Sequence, residues 1–195
     1  LLGAMAALWG HPEYLIENLF GSDPDDFQEW GVYTCRFYRE GSWVEVCADT
    51  RMPALSGFTA AEGEEPTGPQ CLYGRCVDPR EQWVQLLEKA YAKVLGSYEA
   101  LSKGSVTEAL VDLTGGSGEE ILLNEDSAKK TSTLFEECQE HLENKHVLCV
   151  TADPANNGQG GVPSPDLKQT ALGLLPGHAY GVMQCIQVED KKLVR

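Results

Sequence analysis

The chain reads as an α+β protein, with helices dominating its first half and antiparallel strands its second. Three observations predict this. An apolar stripe at helical spacing runs through Trp83, Leu86, Leu87, Ala90, Tyr91, Val94, Tyr98 and Leu101. Two alternating runs, Val32–Phe37 and Ser42–Ala48, flank the turn-forming Arg39-Glu40-Gly41. After residue 147 the apolar residues fall in short strand-like runs, Val147–Ala152, His178–Val188 and Lys191–Arg195.

The elements follow in order. Leu1–Leu8 is small or apolar throughout and has no capping residue ahead of it. It predicts a helix already under way at Leu1 and, being apolar on all sides, one that belongs in a core. Tyr14–Phe20 predicts a second short helix, broken by Gly21-Ser22-Asp23-Pro24. Residues 54–79 are loop-like and rich in Gly, Pro and Glu. Asp78-Pro79-Arg80-Glu81 then supplies an N-cap, a proline at the first helical position and a glutamate at the third, so a helix is predicted over about 80–101.

Ser102-Lys103-Gly104-Ser105 is the best boundary in the chain. It divides a helical half, 1–103, from a β-rich half, 104–195. Thr114-Gly115-Gly116-Ser117-Gly118 is a second flexible joint. Ser132–Lys145 predicts an amphipathic helix with Leu134, Phe135, Cys138 and Leu142 inward. Val147–Ala152 predicts a buried strand, Asp153–Asp166 a polar Gly/Pro loop, and His178–Val188 a strand, with another begun at Lys191.

Length and composition narrow the function. With 195 residues, 42% of them hydrophobic, the chain can build a core. It carries 30 acidic and 15 basic residues, a net charge of -15, spread evenly over both halves with no basic tail or stripe. Binding to nucleic acid or to anionic membranes needs Lys/Arg clusters, so both are disfavoured. The acidity serves either solubility or attraction for cations, calcium included. No apolar run approaches the ~18 residues of a membrane span. Seven cysteines is an odd number with no regular spacing, and several, such as Cys47, sit in apolar runs. Free buried thiols in a reducing cytoplasm account for them best.

Candidate chemistry has to be weighed residue by residue. His178 in an apolar strand, taken on its own, reads more as a structural core histidine than as a catalyst. Cys138, His141, His146 and Cys149 have the types of a zinc quartet. Their spacing argues against one: three residues along a strand point His146 and Cys149 to opposite faces. Cys71 and Cys76 could pair or form half a metal site, but free loop thiols fit a cytoplasmic chain better. Gly115-Gly116-Ser117-Gly118 lacks the lysine of a phosphate loop, and Glu119-Glu120 would repel a phosphate.

Two runs carry a specific resemblance. Leu174-Leu175-Pro176-Gly177-His178-Ala179-Tyr180-Gly181-Val182 resembles the catalytic-histidine strand of calpains. The run from Glu81 to Leu101, with Leu86-Leu87-Glu88-Lys89-Ala90-Tyr91-Ala92-Lys93 and Tyr98-Glu99-Ala100-Leu101, resembles a helix of the same family. Gly41-Ser42-Trp43-Val44-Glu45-Val46 and Asp49-Thr50-Arg51-Met52-Pro53 are similar to its hairpin and exit, with Thr50 in place of the usual Asp.

The resemblance implies a papain-like cysteine peptidase core, truncated at both ends. A helical half carries Cys, and a β-rich half carries His and Asn. The chemistry implied is hydrolysis of peptide bonds in protein substrates, an endopeptidase with His178 as its catalytic histidine. The nucleophilic Cys falls two residues before Leu1 and the Asn a few residues after Arg195, so the fragment alone is expected to be inactive. Gly104 and Gly177 match glycines that contact the substrate backbone, with Lys103 where the family has another Gly. Glu81 matches a calcium ligand, and calcium regulation is implied; read from local sequence, Glu81 is equally a capping carboxylate. Further domains beyond both ends and a cytoplasmic location are implied as well. A catalytically inactive calpain-like scaffold or regulatory module is the alternative.

Overall fold

The structure, a computed structural model, describes residues 1–21, 23, 29–55, 70–76, 78, 80–102, 104–123, 133–151 and 177–195. The loop expected over 153–166 lies outside the described residues, as do most of the 54–79 loop and Leu174–Pro176 of the histidine run. Helices and small antiparallel sheets alternate along the chain, and contacts divide it into two compact units. One unit is Asn18–Ser102 with Leu2; the other is Leu1, Gly3–Glu17 and Lys103–Arg195.

The Asn18–Ser102 unit is built on a hairpin. Strand β1 (Val32–Arg39) pairs antiparallel with β2 (Ser42–Asp49), with Arg39 opposite Ser42. The two turn residues, Glu40 and Gly41, have φ of 50° and 84°. Such a turn matches the twist of the flanking strands, and glycine lowers its conformational cost. Alternation turns Tyr33, Cys35, Phe37, Val46 and Ala48 inward, where they are buried. Cys47 therefore lies on the other face and is exposed, contrary to the burial expected of it.

Helix α2 (Trp83–Leu95) covers that inner face with Leu86, Leu87, Ala90 and Tyr91. Phe37 and Tyr91 meet edge to face with centroids 5.2 Å apart, and the Tyr33 hydroxyl donates to the Leu86 carbonyl at 2.6 Å. Each large side chain so buried contributes about 1.5–3 kcal/mol. Lys89 ties α2 to the end of β2, its Nζ donating to the Asp49 and Arg51 carbonyls at 2.8 and 2.6 Å. Two short strands, β3 (Ala54–Leu55) and β4 (Gln70–Cys71), form a second ladder.

The limits of α2 differ from the expected 80–101. Asp78 closes a turn ahead of the helix instead of capping it: its Oδ1 accepts from the Arg80 N–H at 2.9 Å and its carbonyl from the Glu81 N–H at 3.1 Å. At the far end Gly96, with φ 99°, stops the α-helix, and only a 3-10 turn, Glu99–Ser102, follows.

Among the described residues the other unit holds three helices, α1 (Leu2–Leu8, all but Leu2), α3 (Val106–Thr114) and α4 (Leu134–Glu143). Strand β5 (Leu148–Thr151) pairs with β6 (Ala179–Val182), and β7 (Cys185–Val188) with β8 (Lys191–Val194), both antiparallel. Helix α4 packs against β5 and β7.

Several expectations change here. Helix α3 was not expected, although its signal is a capping box: Ser105 Oγ accepts from the Thr107 and Glu108 N–H groups, and Gly115 at φ 69° ends it. The single strand expected over 178–188 is two. Met183 and Gln184 both donate to the Arg195 carbonyl, at 2.7 and 3.1 Å, which redirects the backbone from β5 toward the end of β8. Tyr14–Phe20 forms only a 3-10 turn, Glu17–Leu19. The inward face expected of α4 is half-buried, and β5 is part-exposed, not buried.

Candidate active site

His178 stands immediately before β6, exposed, with its ring edge-on to Tyr180 at 4.9 Å between centroids. Residues 178 and 180 fall two apart, so a strand sends both side chains to one face. Gly177 ahead of it has φ 69°, and among the described residues a Cβ there would meet nothing within 4 Å. None of the described residues stands against the α-carbon of Gly177, where a side chain would otherwise project.

What holds the histidine strand is a close approach of two backbones. A Cβ on Gly3 would lie 2.6 Å from the Ala179 Cβ and 2.9 Å from the Ala179 carbonyl oxygen. A Cβ on Gly181 would lie 2.8 Å from the Cα of Ala7. Gly3 and Ala7 are one helical turn apart on one face of α1, and Ala179 and Gly181 share one face of β6. Two small pairs thus seat the first turn of α1 on the residue next to His178. Sequence reasoning missed Gly3 and Gly181 as site-building residues. Their signal was present, as small residues four apart on a helix and two apart on a strand.

Five of the seven thiols are poorly suited to attack. Burial pushes Cys35 up to about 12 and raises Cys76, Cys138, Cys149 and Cys185 above the ordinary thiol value. The thiolate is the nucleophile, so burial keeps these five inert. Cys149 lies opposite Gly181 on β5 and directs its Sγ to the Gly3 carbonyl at 3.9 Å, a filling role beneath the helix–strand contact.

The other expected site residues stand apart from this contact. Gly104 is exposed just ahead of the α3 cap, and a Cβ there would meet nothing within 4 Å. Glu81 is exposed and precedes Gln82, the N-cap of α2, so it is not a capping carboxylate at the third helical position. Calcium takes about six to eight oxygen ligands. Among the described residues no three His, Cys, Asp or Glu side chains group around a common point at Glu81. The same holds for the zinc quartet, although His141 and His146 do meet, Nδ1 to Nδ1, at 2.9 Å.

The model of the calpain family of cysteine proteases matches residues 1–195. The chain belongs to that family. It is 34% identical over 202 residues to the calpain-2 catalytic subunit of Mus musculus, covering all of this chain and 25% of that protein. It is 36% identical over 173 residues to the calpain-type cysteine protease DEK1 of Arabidopsis thaliana, covering 87% of this chain and 7% of that protein. Calpain-5 of Mus musculus is 32% identical over 197 residues, with 93% and 26% covered. This calpain-family chain therefore spans a quarter or less of the length of most such relatives. Among its described residues no helix is long and apolar enough to cross a membrane.

The calpain-like helix α2 also buries a carboxylate. Glu88 is 7% exposed, accepts from the Gly74 N–H at 2.8 Å, and has its pKa raised by that burial. It braces the loop after β4 against α2.

Proposed function

We propose that this chain forms part of the catalytic core of a calpain-like cysteine endopeptidase. In this reading it hydrolyses peptide bonds in protein substrates through a Cys-His-Asn triad, in the cytoplasm and under calcium control. The observation that carries the reading is the seating of α1 on β6 at Gly3–Ala179 and Ala7–Gly181, which sets His178 beside the first turn of that helix. The nucleophilic Cys two residues before Leu1 would lie about one turn from Gly3.

The chemistry then runs as follows. A thiol has a pKa of about 8.5, and a helix N-terminus with a neighbouring imidazolium lowers it by several units. His178 takes the thiol proton, and the thiolate attacks the scissile carbonyl carbon. The C–N bond breaks as His178 returns the proton to the leaving amine. Water then attacks the thioester, giving its proton to His178, and the carboxylate product leaves as the thiol re-forms. The Asn after Arg195 would orient the ring. Gly104 and Gly177, both open, would receive the substrate backbone. No calcium step is assigned to Glu81, whose described neighbours do not complete a site.

The test is labelling of the full-length protein with an epoxide thiol probe, with and without calcium, and mapping of the adduct by peptide mass. A single calcium-dependent adduct two residues before Leu1 is the expected result. An adduct there without calcium would remove the calcium control. No adduct under either condition, with folding confirmed, would leave the inactive scaffold as the reading.

A further inference from the structure

The C-terminus of α4 closes in a left-handed cap that sequence reading did not anticipate. Asn144 is the C-cap, and Lys145 takes φ 60° without being a glycine. The His146 N–H donates to the His141 carbonyl at 2.9 Å and the Lys145 N–H to the Leu142 carbonyl at 3.0 Å. These are the two bonds of a Schellman motif, which ordinarily brings together two apolar side chains at its ends. Here those two places are taken by His141 and His146, whose Nδ1 atoms are 2.9 Å apart and whose rings are exposed.

The cap is also tied from outside α4. His11 Nδ1 accepts from the Glu13 N–H at 3.2 Å, so its hydrogen is on Nε2, which donates to the Lys145 carbonyl at 3.0 Å. Lys145 Nζ lies 3.5 Å from a Glu13 carboxylate oxygen. The backbone carrying the two imidazoles is thereby fixed before any ligand arrives.

We propose that His141 and His146 form a two-imidazole surface site for a tetragonal transition-metal ion, copper(II) or nickel(II). The spacing suits a cis pair once both rings turn their Nδ1 lone pairs from each other toward a shared ion: two metal–nitrogen bonds of about 2.0–2.1 Å at about 90° put the nitrogens about 2.9 Å apart, the separation the pair already has. An angle of about 90° is the cis angle of square-planar or octahedral coordination, whereas a tetrahedral zinc ion needs about 3.3 Å between nitrogens. No third His, Cys, Asp or Glu joins the pair among the described residues, so water fills the remaining positions. In the hydrogen-bonded pair one Nδ1 carries the hydrogen. On binding that ring moves its proton to Nε2 through solvent, both rings turn, and two metal-bound waters leave. Both imidazoles stay neutral.

Nickel(II) is the probe, titrated calorimetrically into the protein and followed by paramagnetic broadening of the imidazole C–H signals. One equivalent is expected to bind, broadening His141 and His146 while leaving His178 sharp. His141→Ala and His146→Ala should each weaken binding about a hundredfold, the loss of a second tethered ligand. His141→Gln and His146→Asn, which keep a polar group at the cap, should weaken it alike, with circular dichroism confirming the helix. Undiminished binding in these folded variants would assign the metal to the thiols or elsewhere and overturn the proposal. Zinc binding more tightly than nickel would overturn the tetragonal assignment.

Discussion

The two units hold themselves together differently. In Asn18–Ser102 the hairpin and α2 share a side-chain core, with Phe37 and Leu87 each 0% exposed. In the unit carrying His178, the strands keep large apolar residues in solvent, Val188 at 52% and Val194 at 56%, and α4 buries no residue fully. Its helix α1 and strand β6 approach closely at Gly3 and Gly181. Both units bury large side chains, Met5, Leu8 and Leu113 among them in the unit carrying His178, but that unit adds a close contact that only small residues allow. Removing atoms at Phe37 should therefore harm the first, and adding them at Gly181 should harm the second.

Phe37→Ala is the largest expected effect. It empties a fully buried ring site and should cost about 3–5 kcal/mol, read as a fall in the urea midpoint of the first unit's transition. A loss under 1 kcal/mol would break the side-chain half of the comparison. Gly181→Val comes next. Its Cβ would strike the Ala7 backbone at 2.8 Å, and backbone moves far less cheaply than a flexible side-chain end. The cost should be about 2–3 kcal/mol by chemical denaturation. Tyr33→Phe, which deletes the donor to the Leu86 carbonyl, should cost about 1 kcal/mol. Gly104→Ala, with open space and no left-handed backbone, should stay within about 0.5 kcal/mol.

Glu88 sharpens the comparison through pH. Burial raises its folded pKa above the ordinary 4.5, so between 4.5 and the raised value the folded state holds a proton that the unfolded chain has released. Stability from this group is full below 4.5 and is lost as pH rises through that window. Glu88→Gln should flatten this part of the pH–stability curve while keeping an oxygen for Gly74. An unchanged slope would mean that the carboxylate is solvated.

What the sequence disclosed follows the same division. The hairpin and α2 were legible because alternation and helical spacing report side-chain burial, the force that builds that unit. The α2 ends were misread because Asp78 and Gly96 act through local hydrogen bonds and φ, which the apolar stripe does not register. In the other unit, the flank of His178 carries the family resemblance, but the Gly3–Ala179 and Ala7–Gly181 contact has no such mark. Small residues leave no hydrophobic signal. Helix α3 carries its signal in Ser105 and Glu108 at capping-box spacing and not in an apolar stripe. The His141–His146 pair was hidden because Lys145 adopts a left-handed conformation that glycine usually supplies.

The most direct test of the account is the pH dependence of alkylation at the Cys expected two residues before Leu1, in the full-length protein with and without His178→Gln. If His178 is its partner, the wild-type thiol should react well below its ordinary pKa of about 8.5, and the variant should shift the profile upward toward that value. Coincident profiles would show that His178 does not activate the thiol and would contradict the catalytic role proposed for the α1–β6 contact.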